Sequence, residues 1–107
     1  MDCIQNVYNT ILDRRDNPSP NSYTRYLFDR GLDKILKKVG EEAAEIIIAA
    51  KNGENRDTIE EIADLTYHLL VLMAYQDITP DQVSDLLNQR HKKSGNLKTP
   101  HNADRNS

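Results

Sequence analysis

The sequence predicts an all-α fold, a helical bundle of four to five helices. Apolar residues recur at spacings of three and four in successive stretches, the period of amphipathic helices. Residues that start and stop helices punctuate those stretches. No segment alternates apolar and polar residues over a convincing strand length, and no internal repeat is visible. The 107 residues suit one domain, predicted over 1–92. With 37% apolar against 29% charged residues, little apolar surface is available for so many helices, and self-association would help bury it.

From Asp2 to Arg15, the residues Ile4, Val7, Tyr8, Ile11 and Leu12 define the first one-faced helix. Asn17-Pro18-Ser19-Pro20-Asn21 then cannot propagate it, because each proline removes a donor and pushes the preceding residue into extended backbone. Ser22 is placed to cap a short helix over Tyr23 to Arg30, and Gly31 to end it in a left-handed turn. A long helix follows from about Asp33 to Asn52. Its residues Ile35, Leu36, Val39, Ala43, Ile46, Ile47 and Ala50 fall on one arc at about 100° per residue. Gly40 interrupts this helix at a cost of about 1 kcal/mol relative to Ala, which predicts close packing of a neighbouring helix there.

Asn52-Gly53-Glu54-Asn55 reads as a turn, and the next helix as running from about Asp57 to Gln76. Its second half, Leu65 to Tyr75, is apolar nearly all round and so is expected to be surrounded. Thr79-Pro80-Asp81-Gln82 combines a cap residue, proline at the first helical position and Gln three residues after the cap, opening a last helix over Pro80 to Lys92. From Lys93 to Ser107 the chain turns polar and aperiodic, the composition of a disordered tail.

The net charge of −3 and a pI near 5.5 give no long-range attraction for a polyanion, so no nucleic-acid partner is expected. The single Cys3 provides neither an intramolecular disulfide nor a cysteine metal site, in keeping with a reducing cytoplasm. No apolar run approaches the roughly 18 residues of a membrane span, so no membrane partner is expected. A cytoplasmic location is the expectation.

The most informative residues are acidic. Glu41, Glu42 and Glu45 border the apolar arc of the long helix, and Glu61 and Asp64 border that of the next. Residues three and four apart share a helix face, so two such helices packed together would bring four or five carboxylates into one small volume. Taken singly, each Glu is an ordinary solvated residue, with contacts to Lys38 worth tenths of a kcal/mol. Jointly, they need pairing, protonation or a metal. A hard dication such as Mg²⁺ suits an all-carboxylate set, and its usual remaining ligands are water and substrate phosphate. Lys34 and Lys38, beside the acids, are placed to hold phosphates. A ferritin-like di-iron site would need Glu-x-x-His on two helices, which the chain lacks. His68 follows Asp64 by four and reads as a packed residue outside the metal set.

The segments Ser22-Tyr23-Thr24, Gly31 to Ala43, Ala49-Ala50-Lys51-Asn52, Glu60 to Leu65 and Leu65 to Leu72 carry a specific likeness. Through them the chain resembles the phosphoribosyl-ATP pyrophosphatases, which act in the second step of histidine biosynthesis. Glu-Glu-x-x-Glu followed by Glu-x-x-Asp is also the pattern of the wider MazG-like all-α nucleotide pyrophosphatases. The resemblance implies Mg²⁺-dependent hydrolysis of phosphoribosyl-ATP to phosphoribosyl-AMP and pyrophosphate, in a homodimer or larger homo-oligomer that completes the bundle. It implies Glu42, Glu45, Glu61 and Asp64 as metal ligands and Glu41 as a further ligand or the base that orients water. It also implies Lys34, Lys38 and Lys51 as phosphate contacts. The tail after Arg90 departs from the family pattern, where a charged helix often continues. Two other readings stand beside this one: a house-cleaning nucleoside triphosphate pyrophosphatase with the same site, and a non-catalytic helical dimerisation module whose acids keep it soluble.

Overall fold

The computed structural model describes residues 2–93, and among them five helices and no strand are found. They are α1 (Cys3–Asp16), α2 (Tyr23–Arg30), α3 (Leu32–Lys51), α4 (Asn55–Tyr75) and α5 (Pro80–Lys92). The polar tail expected from Lys93 onward lies, after Lys93 itself, outside the described residues.

The helix ends follow local chemistry. The Asp2 and Ser22 side chains accept from the backbone N–H groups of Ile4 and Arg25, satisfying donors that a helix N-terminus otherwise leaves free. Gly31 carries φ of 89°, which only glycine adopts without strain, and its N–H closes α2 on Leu27 O. Thr79 and Gln82 form the full capping box expected of Thr79-Pro80-Asp81-Gln82.

The longest elements, α3 and α4, fold back on each other across the short turn around Gly53, whose φ is 70°. This hairpin is the spine of the molecule. Onto one side of it pack α1 and α2, and the core forms where they meet: Tyr8 and Ile11 from α1, Leu27 from α2, Ile35 from α3, and Leu70, Val71 and Ala74 from α4. Burying each large apolar side chain contributes roughly 1.5–3 kcal/mol. Two polar ties fix the lower end. The Tyr8 hydroxyl donates to Ile78 O at 2.7 Å, and Arg15 Nη1 donates to Ala74 O at 3.0 Å, satisfying a carbonyl in the last turn of α4.

Two expectations need correction. A Cβ built on Gly40 would meet nothing within 4 Å, so no neighbouring helix among the described residues explains the glycine. The apolar arc of α3 is also covered on one flank only. Ile35 is wholly buried, whereas Leu36 and Ile47 stay 44% and 65% exposed. On α4, Ile59 and Ile62 are bare as well, and α5 leaves Val83, Leu86 and Leu87 half-exposed. At 3.6 residues per turn, Leu36, Gly40 and Ile47 project at least about 120° away from Glu42, and Ile59 and Ile62 at least about 100° from Glu61. These five residues thus face away from Glu42 and Glu61, whereas Ile48, 60% exposed, lies on the acidic side beside Glu45 and Glu61.

Candidate metal centre

Glu42 and Glu45 share a face of α3 because they are three residues apart, and the antiparallel return of the chain sets Glu61 of α4 against them. One carboxylate oxygen from each of these three residues lies within 4.8 Å of the other two. Glu42 is only 6% exposed. Its Oε2, and Oε2 of Glu61, are buried without a hydrogen-bond partner. Two anionic oxygens shielded from water and facing further carboxylates are tolerable only when a proton or a cation lies between them. The neighbouring Glu45 carboxylate, which favours the protonated form, comes first, followed by loss of water and the Glu42 carboxylate. Together these push the Glu61 carboxyl up to about 8.

The other expected residues are placed less uniformly. Glu41 is exposed on the rim, 3.7 Å from Lys38 Nζ, which also stands 3.6 Å from Glu42 Oε1. Partial burial pulls the Lys38 ammonium down, but Tyr23, Glu42 and Glu41 outweigh it and hold the group above the ordinary lysine range. Asp64, one turn beyond Glu61, is exposed and is not in the three-carboxylate group. Lys34 sits two turns before Glu42 with Nζ 6.0 Å from the Tyr26 ring centre. Lys51, exposed at the end of α3, projects about 180° from Glu42 on the helix and is not brought to the acids.

His68, read from the sequence as a packed residue outside the metal set, is packed as expected, while the bonds around it were not anticipated. His68 is buried, and its Nδ1 is 2.7 Å from the backbone carbonyl of Asp64 while its Nε2 is 2.9 Å from the Tyr23 hydroxyl. A carbonyl only accepts, so Nδ1 carries the hydrogen and donates to it. This chain of bonds ties α2 to the turn of α4 that carries Asp64. Thr24 and Tyr67 add a second hydroxyl contact between the same helices. On the other side of the carboxylates, Asn52, Glu54 and Asp57 join Glu45 and Glu61 around a cleft of about 210 Å³. Asp57 stands four residues before Glu61, so its place on that face was readable from spacing alone.

The profile of the phosphoribosyl-ATP pyrophosphohydrolase family matches residues 4–91, nearly all of the described chain. The chain belongs to the phosphoribosyl-ATP pyrophosphohydrolase family. Among curated relatives, the phosphoribosyl-ATP pyrophosphatase of Clostridium novyi is 51% identical over 98 residues, covering 92% of this chain and 89% of that protein. The enzyme of the same description from Pelotomaculum thermopropionicum is 54% identical, over 87% and 96% of the two chains. That of Streptococcus thermophilus is 47% identical over 88% and 90%. The likeness therefore spans all five helices, and the three converging carboxylates lie well inside the family match. No helix of the described residues is long and apolar enough to cross a membrane.

Proposed function

We propose that this chain is a cytoplasmic Mg²⁺-dependent phosphoribosyl-ATP pyrophosphatase, which hydrolyses the α–β anhydride to give phosphoribosyl-AMP and pyrophosphate in histidine biosynthesis. One observation carries this reading: Glu42, Glu45 and Glu61 bring carboxylate oxygens together, two of them without a partner, beside the ammonium of Lys38. The donor set fits a hard dication. Glu42, Glu45 and Glu61 would hold it, with Asp64 contributing once its exposed side chain turns in. When bound, Mg²⁺ neutralises phosphate charge and acidifies water. Lys38 meets the polyphosphate as a point charge, and Glu41 at the rim is positioned to orient water. The His68 bond to the Asp64 carbonyl fixes the turn that presents that carboxylate.

The test is direct. Purified protein with Mg²⁺ is given phosphoribosyl-ATP and, separately, ordinary nucleoside triphosphates, and released pyrophosphate is measured. Preferential turnover of phosphoribosyl-ATP is expected. Turnover of the triphosphates alone would shift the assignment to a house-cleaning enzyme, and no turnover with no Mg²⁺ affinity would leave a helical dimerisation module.

The same proposal includes a homodimer. Leu36, Ile47, Ile59 and Ile62 form an exposed apolar side of the α3–α4 hairpin, continuous in kind with Leu86 and Leu87 of α5. Gly40 lies among them with open space above it, which gives the close approach expected from sequence a second copy as its partner. Ile62→Asp is expected to convert a dimer at micromolar concentration to monomer, read by analytical ultracentrifugation. A wild-type protein that sediments as a monomer at tens of micromolar would sink the idea.

A further inference from the structure

The exposed face of α2 and the start of α3 carry a strip that leads away from the acids. It begins at Lys38, beside Glu42. It continues over the 46% exposed Tyr23 to the 40% exposed Tyr26, whose rings stack with centres 6.1 Å apart. It ends on two cations over one ring: Arg30 Cζ lies 5.8 Å and Lys34 Nζ 6.0 Å from the Tyr26 centre. Among the described residues neither Arg30 nor Lys34 has a carboxylate within ion-pair distance. Nearby Arg25, by contrast, is bound to Asp29 at 3.0 Å and donates to Arg15 O at 2.8 Å. A cation over an exposed aromatic ring is worth little to the fold. In a chain of net charge −3, two such cations beside one ring form a local site for an anion.

Resting on the function proposed above, we propose that this strip is the specificity subsite: Tyr23 and Tyr26 stack against the substrate's purine, and Arg30 with Lys34 binds the distal phosphate of the phosphoribosyl group. The dimensions suit this. Lys34 precedes Glu42 by eight residues, about 12 Å along the helix axis, so a nucleoside has room to lie between the triphosphate at the acids and a second phosphate at Lys34. Sequence spacing grouped Lys34 with Lys38 as contacts to one polyphosphate. On this reading they meet separate anions, Lys38 beside Glu42 and Lys34 beside Tyr26. An ordinary nucleoside triphosphate has no group to place at Arg30 and Lys34, so this end of the strip distinguishes the two substrate classes.

The test is equilibrium binding of phosphoribosyl-AMP and of AMP, in the presence of Mg²⁺, to the full chain and its variants. Wild type is expected to prefer phosphoribosyl-AMP. The double variant Arg30→Ala/Lys34→Ala should lower the ratio of the two affinities by about 10-fold or more, the usual consequence of losing charge-assisted contacts. Arg30→Lys/Lys34→Arg should keep the ratio. Tyr26→Ala should weaken both ligands together. An unchanged ratio in the alanine double variant, or an equal loss for both ligands, would overturn the subsite. Absence of phosphoribosyl-ATP hydrolysis by wild type, with the binding preference intact, would instead indict the proposed reaction and leave the subsite standing.

Discussion

Replacing Glu61 by Gln is expected to reduce turnover by about two to three orders of magnitude while leaving the metal-free protein at least as stable as wild type. The two effects have opposite signs if, as proposed, the three carboxylates hold a cation. Without one, the crowding of Glu45 and Glu42 against Glu61 favours a shared proton, in line with its carboxyl being pushed up to about 8. A glutamine amide supplies a permanent N–H donor to those same carboxylates, so the crowding is relieved without rearrangement. Yet the amide offers a dication only a neutral oxygen in place of an anionic one. Glu45→Gln should act in the same direction. Asp64→Asn isolates that side chain's contribution, because the backbone bond from His68 to the Asp64 carbonyl survives the change. Turnover and melting temperature, each with and without Mg²⁺, check the set. Wild-type turnover in Glu61→Gln would remove Glu61 from the ligand list and with it the metal centre drawn here.

Much of the fold was legible because helix ends are local events. Ser22, Gly31 and the Thr79-to-Gln82 box each act on backbone groups within four residues, and each does so in the structure. The five helices follow the predicted spans within about two residues at the ends, the scatter expected of frayed helix boundaries. Convergence of Glu42 and Glu45 with Glu61 was legible for a related reason. A short turn forces α3 and α4 to be antiparallel neighbours, and all three acids border apolar arcs that those neighbours must bury.

What could not be read was the occupant of each flank. Ile35, Leu36 and Ile47 look alike in a helical projection, but among the described residues only Ile35 is fully covered. Periodicity reports that a face is apolar and carries no information on whether the chain itself or another copy covers it. For the same cause the helix expected against Gly40 is not found among the described residues. Asp64 illustrates a second limit. Spacing places a side chain on a face within tens of degrees, whereas membership of a metal centre requires ångström proximity. The Tyr23–His68 bond joins residues 45 positions apart, and no local pattern announces it.

Mg²⁺ should raise the melting temperature by an amount that grows with pH, and its binding near pH 7 should release protons. A glutamate that titrates near 4.5 in the unfolded chain and at about 8 in the folded one binds its proton more tightly when folded. The folded state then carries more protons than the unfolded state between those values, so stability falls as pH rises. The metal-free protein should be most stable towards pH 5 and lose stability progressively up to about pH 8. A bound dication takes the place of that proton, which abolishes the loss and makes affinity increase with pH. At 100 times its dissociation constant a ligand stabilises by about 2.7 kcal/mol, on the order of 10 °C for a domain of this size. Calorimetric titration of Mg²⁺ at pH 7 in two buffers of different ionisation enthalpy measures the released protons. Melting curves from pH 5 to 9 measure the stability arm. A metal-free melting temperature that rises across this window, or binding with no proton release, would show that the three carboxylates do not share a proton that the cation displaces.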